Sequence, residues 1–121
     1  MKTLHLNLKR KWFDMIISGE KKEEYREIKE SIVSLLFDWK DSGLTREQFT
    51  RACINKEEFI WIYVKHYTKP VTFSNGYAKD RDQFIIAWNS LDIGEGKPEW
   101  GAEKGKNYFV LELGELTLID N

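Results

Sequence analysis

The sequence predicts an α+β domain whose mostly antiparallel β half curls into a small, partly closed barrel with flanking helices. Three observations lead there. Residues 3–8 (TLHLNL) alternate apolar and polar, residues 9–18, 32–39 and 45–54 carry apolar side chains at helical spacing, and from residue 59 onward strand-like runs alternate with turn signals. A strand-rich half in so short a chain commonly closes on itself, because closure removes exposed sheet edges. With 121 residues, 41% of them hydrophobic and 14% aromatic, the chain suits one domain over residues 1–121 with a real core.

Taken in order, Leu4, Leu6 and Leu8 share one face of a half-buried first strand. Trp12, Phe13, Ile16 and Ile17 then mark an amphipathic helix, and Gly19 falls where a glycine commonly follows a helix C-terminus. Residues 20–28 (EKKEEYREI) are too charged for a central strand but suit a short edge or rim strand. Ile32, Leu35, Leu36 and Trp39 outline a second helix, ended by the Asp-Ser-Gly at residues 41–43. A third helix should start at Thr45 and run to about Ile54. Thr45 and Gln48 form a capping-box pair, and Leu44 and Phe49 occupy the two positions of a hydrophobic staple. Residues 59–67 (FIWIYVKHY) are apolar on both faces at first and predict a central strand. Residues 71–77 predict another, closed by an Asn75-Gly76 turn. Residues 82–93 and 107–119 complete the strand set, and the loop between them, residues 94–106, is rich in glycine and holds Trp100.

Charge narrows the function classes. Charged residues make up 32% of the chain, yet the formal net charge is only −1. A long phosphate track would need a strong positive field, so any contact with phosphates must come from a local patch. Cys53 is the only cysteine, which excludes an internal disulfide and fits a reducing compartment. No apolar run reaches the roughly 20 residues of a membrane span, and the N-terminal residues lack a signal-peptide core. We therefore expect a cytoplasmic protein with no membrane partner. His5, His66 and Cys53 are too scattered to suggest a zinc site, and no glycine-rich phosphate loop precedes a helix. No cofactor is expected.

Residues 19–26 hold the charges most suited to chemistry. On a strand, Glu24 and Arg26 share a face about 7 Å apart, with Tyr25 on the other. Lys21 sits at the preceding bend. Arg26 offers a planar fork for phosphate, carboxylate or a base edge. Lys21 offers a mobile charge, or a base or nucleophile if burial lowers its pKa. Glu24 can orient either cation or move a proton. A bland reading fits as well: cations after a helix C-terminus gain about 0.3–1 kcal/mol from the helix dipole. Spacing leaves both open.

Gly19, Lys21, Glu24 and Arg26 match the pattern G-x-K-x-x-E-x-R, and on these residues the chain resembles the ASCH domain family of the PUA-like superfamily. The first strand and helix before the motif, the Asn-Gly-Tyr at residues 75–77 and the segment from Gly96 to Glu115 resemble its small bacterial and phage-borne members. The resemblance implies a PUA-like β-barrel with flanking helices, the motif residues lining a cleft, and a helical insertion around residues 30–55. It implies binding of RNA, or of a modified nucleoside or nucleotide, through Lys21, Glu24 and Arg26. An alternative it carries is hydrolysis of an acylated nucleoside such as N4-acetylcytidine, with Lys21 and Glu24 catalytic. The amidohydrolases of the family have a threonine at the place of Glu24, and this chain departs from them there. Ribonuclease activity, or service as a protein-interaction module, is a further alternative.

Other residues join the candidate site. Trp100, in a polar loop, can stack on a nucleobase or plug the barrel. Tyr63, Lys65 and Tyr67 alternate, so on a strand they would project together toward the same cleft. The basic run at residues 9–11 can meet a phosphate or simply face solvent.

Overall fold

The computed structural model describes residues 4–65, 70–76 and 81–120, the last four by their backbone alone. The chain begins with strand β1 (Leu4–Asn7), helix α1 (Arg10–Ile17) and strand β2 (Glu23–Arg26). Helices α2 (Glu30–Leu36) and α3 (Arg46–Ile54) follow, separated by a 3₁₀ turn at Trp39–Ser42. A 3₁₀ helix at Glu58–Tyr63 leads to β3 (Val71–Ser74). The long strands β4 (Gln83–Glu95) and β5 (Asn107–Asp120) flank a 3₁₀ turn at Pro98–Trp100. It is an α+β arrangement built on one five-stranded sheet.

The strand order is β1-β3-β4-β5-β2, so the two N-terminal strands form the opposite edges. β1 runs parallel to β3, and the other pairings are antiparallel. The β4–β5 ladder carries register shifts between Ile85 and Ile86, Ile86 and Trp88, and Trp88 and Ser90. Bulges of this kind increase local twist and bend a ladder. The sheet curls until a side chain spans its two edges, as described below. This is a barrel-like half-closure.

Local chemistry explains the elements. Leu4 and Leu6 of β1 are buried while His5 between them is exposed, and Leu8 continues the buried face. Phe13 and Ile16 of α1 enter the core, where Phe13 meets Phe84 edge-on at 4.8 Å. Gly19, just beyond α1, adopts φ +85°, and Gly19 N–H donates to the Ile16 carbonyl. That left-handed conformation costs glycine little. The capping box of α3 forms in both directions, Gln48 N–H to Thr45 Oγ1 and Thr45 N–H to Gln48 Oε1. Phe37 packs on Phe49 of α3 at 5.2 Å and on Phe109 of β5 at 5.6 Å. One fully buried phenylalanine, contributing about 1.5–3 kcal/mol by burial, therefore ties the helical portion to the sheet.

Residues 59–67 do not form the expected central strand. Glu58–Tyr63 is a 3₁₀ helix, and Val64 makes only an isolated bridge with Phe37. Ile60 and Tyr63, three apart, turn inward; Phe49 receives the edges of Phe59 and Tyr63. A short run of apolar residues fits either periodicity, and here packing on α3 decides it. Tyr67 and His66 lie outside the described residues. No helix among the described residues is long and apolar enough to cross a membrane.

Candidate functional site

The site grows from the connection between the two edge strands. α1 carries the chain from the end of β1 to the bend at Gly19, and the motif then enters β2, which pairs with β5 from Glu23 opposite Glu112 to Arg26 opposite Phe109. Glu24 and Arg26 share one face of β2, as the alternation predicts. They line a cleft of about 380 Å³. Asn7, Leu8 and Lys9 contribute to it from the end of β1 and the residues beyond, Trp12 from α1, and Lys29 and Ile32 from the start of the helical portion. The opposite wall comes from Gly101, Glu103 and Lys106 of the β4–β5 loop and from Tyr108 of β5.

At its base lies a cation–carboxylate–cation group. Glu24 is 6% exposed; its Oε1 is 3.3 Å from Lys21 Nζ and its Oε2 is 2.7 Å from Arg26 Nη2. Arg26 Nε also donates to Oε2 at 3.0 Å, and Nη2 donates to the Asn7 carbonyl at 2.7 Å. The Nη1 group of Arg26 has no partner among the described residues.

Lys21 stands differently. It is 2% exposed and is not part of the cleft wall. Its ammonium donates to the Trp100 carbonyl at 2.7 Å and lies over the rings of Tyr25 at 4.7 Å and Trp12 at 5.4 Å. Burial lowers its pKa from the ordinary lysine value, with Glu24 opposing the shift. Burial likewise pushes the Tyr25 phenol upward; its Oη donates to Glu23 Oε1 at 2.7 Å and accepts from Lys97 N–H at 2.9 Å.

The structure brings together only part of the expected site. Lys21, Glu24 and Arg26 converge, with Lys21 supporting Glu24 from behind. Trp100 participates through its carbonyl. Its ring turns to a separate hollow with Lys22, Glu23 and Leu113, where Lys97 Nζ covers it at 4.4 Å. Tyr63 and Lys65 do not reach the cleft: Tyr63 ends a 3₁₀ helix, and Lys65 follows the isolated bridge at Val64 instead of lying on a strand. Tyr63 packs against Phe49, and Lys65 Nζ donates to the Ser34 carbonyl at 2.9 Å beside α2. Of the basic run, Lys9 borders the cleft, while Arg10 pairs with Asp14 and Asp82 and Lys11 lies over Trp12. Asn75 donates to the Leu8 carbonyl and so fixes a turn.

Asn7, Trp12, Lys29, Lys106 and Tyr108 were not singled out by sequence. The apolar spacing that placed Trp12 in a helix says nothing of its contact with a distant loop. Asn7 lines the cleft, but its Oδ1 is itself buried, without a hydrogen-bond partner. Among the described residues, no group of three or more His, Cys, Asp or Glu is arranged to hold a metal ion. Compared with models of protein families, curated proteins and solved structures, the chain shows no significant match.

Proposed function

We propose that the cleft binds one nucleotide or modified nucleoside, free or within an RNA strand. The observation that carries this reading is the local charge. Lys9, Arg26, Lys29 and Lys106 line the hollow and Lys21 backs it, against Glu24, Glu27 and Glu103, in a chain whose net charge is −1. Positive potential is thus concentrated at one concave place, as a small anionic ligand requires. Both oxygens of Glu24 are already engaged by cations, so this carboxylate repels an incoming phosphate less than a free one does. Arg26 Nη1 supplies a planar donor for a phosphate or base edge. The G-x-K-x-x-E-x-R resemblance points to the same ligand class.

A thermal-shift panel of nucleosides, nucleoside monophosphates and a short single-stranded RNA tests the reading. One or more should raise the melting temperature, and binding should persist into half-molar salt because few phosphates are engaged. A steep loss with salt would indicate an extended track instead. No stabilisation by any member sinks the proposal.

A second reading rests on Lys21, whose lowered pKa and contact with Glu24 suit acid–base work. Glu24, the partner that reaches the cleft, would move the proton while water adds across the amide of an N4-acetylated cytidine, releasing acetate and the free amine. Incubation with N4-acetylcytidine should then yield cytidine, and Lys21→Ala should abolish it. Equal, background-level product from both proteins removes this reading.

A further inference from the structure

We infer that Lys21 fastens the β4–β5 loop and thereby positions one wall of the cleft, acting through Trp100 and not on the ligand. The placement of a ligand in the cleft rests on the function proposed above; the fastening itself does not.

The loop, residues 96–106, has a tight internal fold: Trp100 N–H and Ala102 N–H both donate to the Lys97 carbonyl. Its placement comes from outside. Lys21 Nζ holds the Trp100 carbonyl at 2.7 Å, and Tyr25 Oη holds the Lys97 amide at 2.9 Å. Gly96 lies so close to the Tyr25 ring that a Cβ there would sit 2.6 Å from it. Gly101, at φ +103°, abuts the Trp12 indole, with 3.0 Å left for a Cβ. These anchors, on residues 96–101, belong to α1 or to the motif segment, whereas the amides of Glu103 and Gly105 are held separately, by Tyr108 Oη at 3.0 Å and Glu95 Oε1 at 2.9 Å. The loop so fixed presents Gly101, Glu103 and Lys106 to the cleft.

Lys21 has no face left for a ligand. Its ammonium meets a carbonyl, a carboxylate and two aromatic rings, and it is 2% exposed. A buried ammonium needs compensating partners, and these partners also define where the loop lies. A lysine here serves two ends at once, donating to the loop and neutralising Glu24.

Hydrogen exchange of the free protein, combined with binding of cytidine 5′-monophosphate, tests the inference on wild type, Lys21→Met and Tyr25→Phe. In both variants, amides of residues 97–102 should exchange faster by about tenfold or more while those of α3 stay protected. Affinity should fall in both, and its dependence on salt should match wild type, since no ion pair with the ligand is lost. Unchanged loop exchange in Lys21→Met overturns the inference, whatever Tyr25→Phe shows. So does a flattened salt dependence confined to Lys21→Met, which would mark direct contact. Where Lys21→Met fails to fold, Lys21→Gln carries the test, because it keeps a polar partner for Glu24 but removes the ammonium that reaches the Trp100 carbonyl. If wild type binds no nucleotide, the proposed ligand falls and loop exchange alone decides the fastening.

Discussion

Arg26, the last residue of one edge strand, donates from Nη2 to the carbonyl of Asn7, the last residue of the other edge strand, at 2.7 Å. The same guanidinium holds Glu24 Oε2 through Nε and Nη2. One side chain therefore spans the gap in the sheet and fixes the carboxylate in the cleft. Arg26→Lys keeps the charge but has no fork with which to serve both partners, so it should cost about 1–3 kcal/mol in urea unfolding. Arg26→Ala should cost more, about 2–4 kcal/mol, because it leaves Glu24 buried with Lys21 alone. Equal stability of all three proteins would rule out the bridge as a structural element.

Lys21 gives a pH dependence with a definite sign. Its pKa in the folded protein lies below the ordinary 10.5, first because of burial and against the pull of Glu24. The unfolded chain thus binds more protons than the folded one between the lowered value and 10.5. Stability from this group is present above the unfolded pKa and is lost as pH falls through the folded one. Relative to Lys21→Met, wild type should gain stability as pH rises from 7 toward 10.5, read as urea midpoints. A difference that stays flat across that range contradicts the assignment.

Cys53 is fully buried and burial raises its thiol pKa to about 12 from the ordinary 9.0. At pH 8 it should react with a disulfide reagent only after the chain is unfolded. The thiol's contribution to stability is complete below 9.0 and disappears as pH rises through about 12. Rapid labelling of the native protein would show that α3 opens locally.

Two glycines near the end of β4 should respond unequally to the same change. A Cβ on Gly96 would meet the Tyr25 ring at 2.6 Å, whereas one on Gly94 meets nothing within 4 Å. Gly96→Ala should destabilise by about 1–3 kcal/mol and displace the loop. Gly94→Ala should stay within about 0.5 kcal/mol of wild type. Melting temperatures of the two variants make the comparison, and a tolerated Gly96→Ala would mean the Tyr25 ring moves aside.

Much of the fold was legible where a local rule acts alone. The alternation of Leu4, Leu6 and Leu8, the glycine after α1 and the Thr45–Gln48 box each describe their own neighbourhood, and each forms. The shared face of Glu24 and Arg26 was legible for the same reason. What could not be read depends on residues far apart in sequence. The run at residues 59–63 suits strand or helix until Phe49 is beside it. The placement of Tyr63 and Lys65 was lost with that choice. The carbonyl of Trp100 carries no side-chain signal, so its use by Lys21 was invisible, and only the indole drew attention. The parallel pairing of β1 with β3 joins residues 4–7 to residues 71–74, and no local pattern encodes it.

Because β2 is hydrogen-bonded to β5, with Glu23 opposite Glu112, the motif has no neighbouring strand until the far end of the sequence has been made. A nascent chain that has emerged only as far as residue 100 holds Gly19, Lys21, Glu24 and Arg26 in full, yet owns no cleft. The cleft therefore forms only once β5 has been made and has paired with β2.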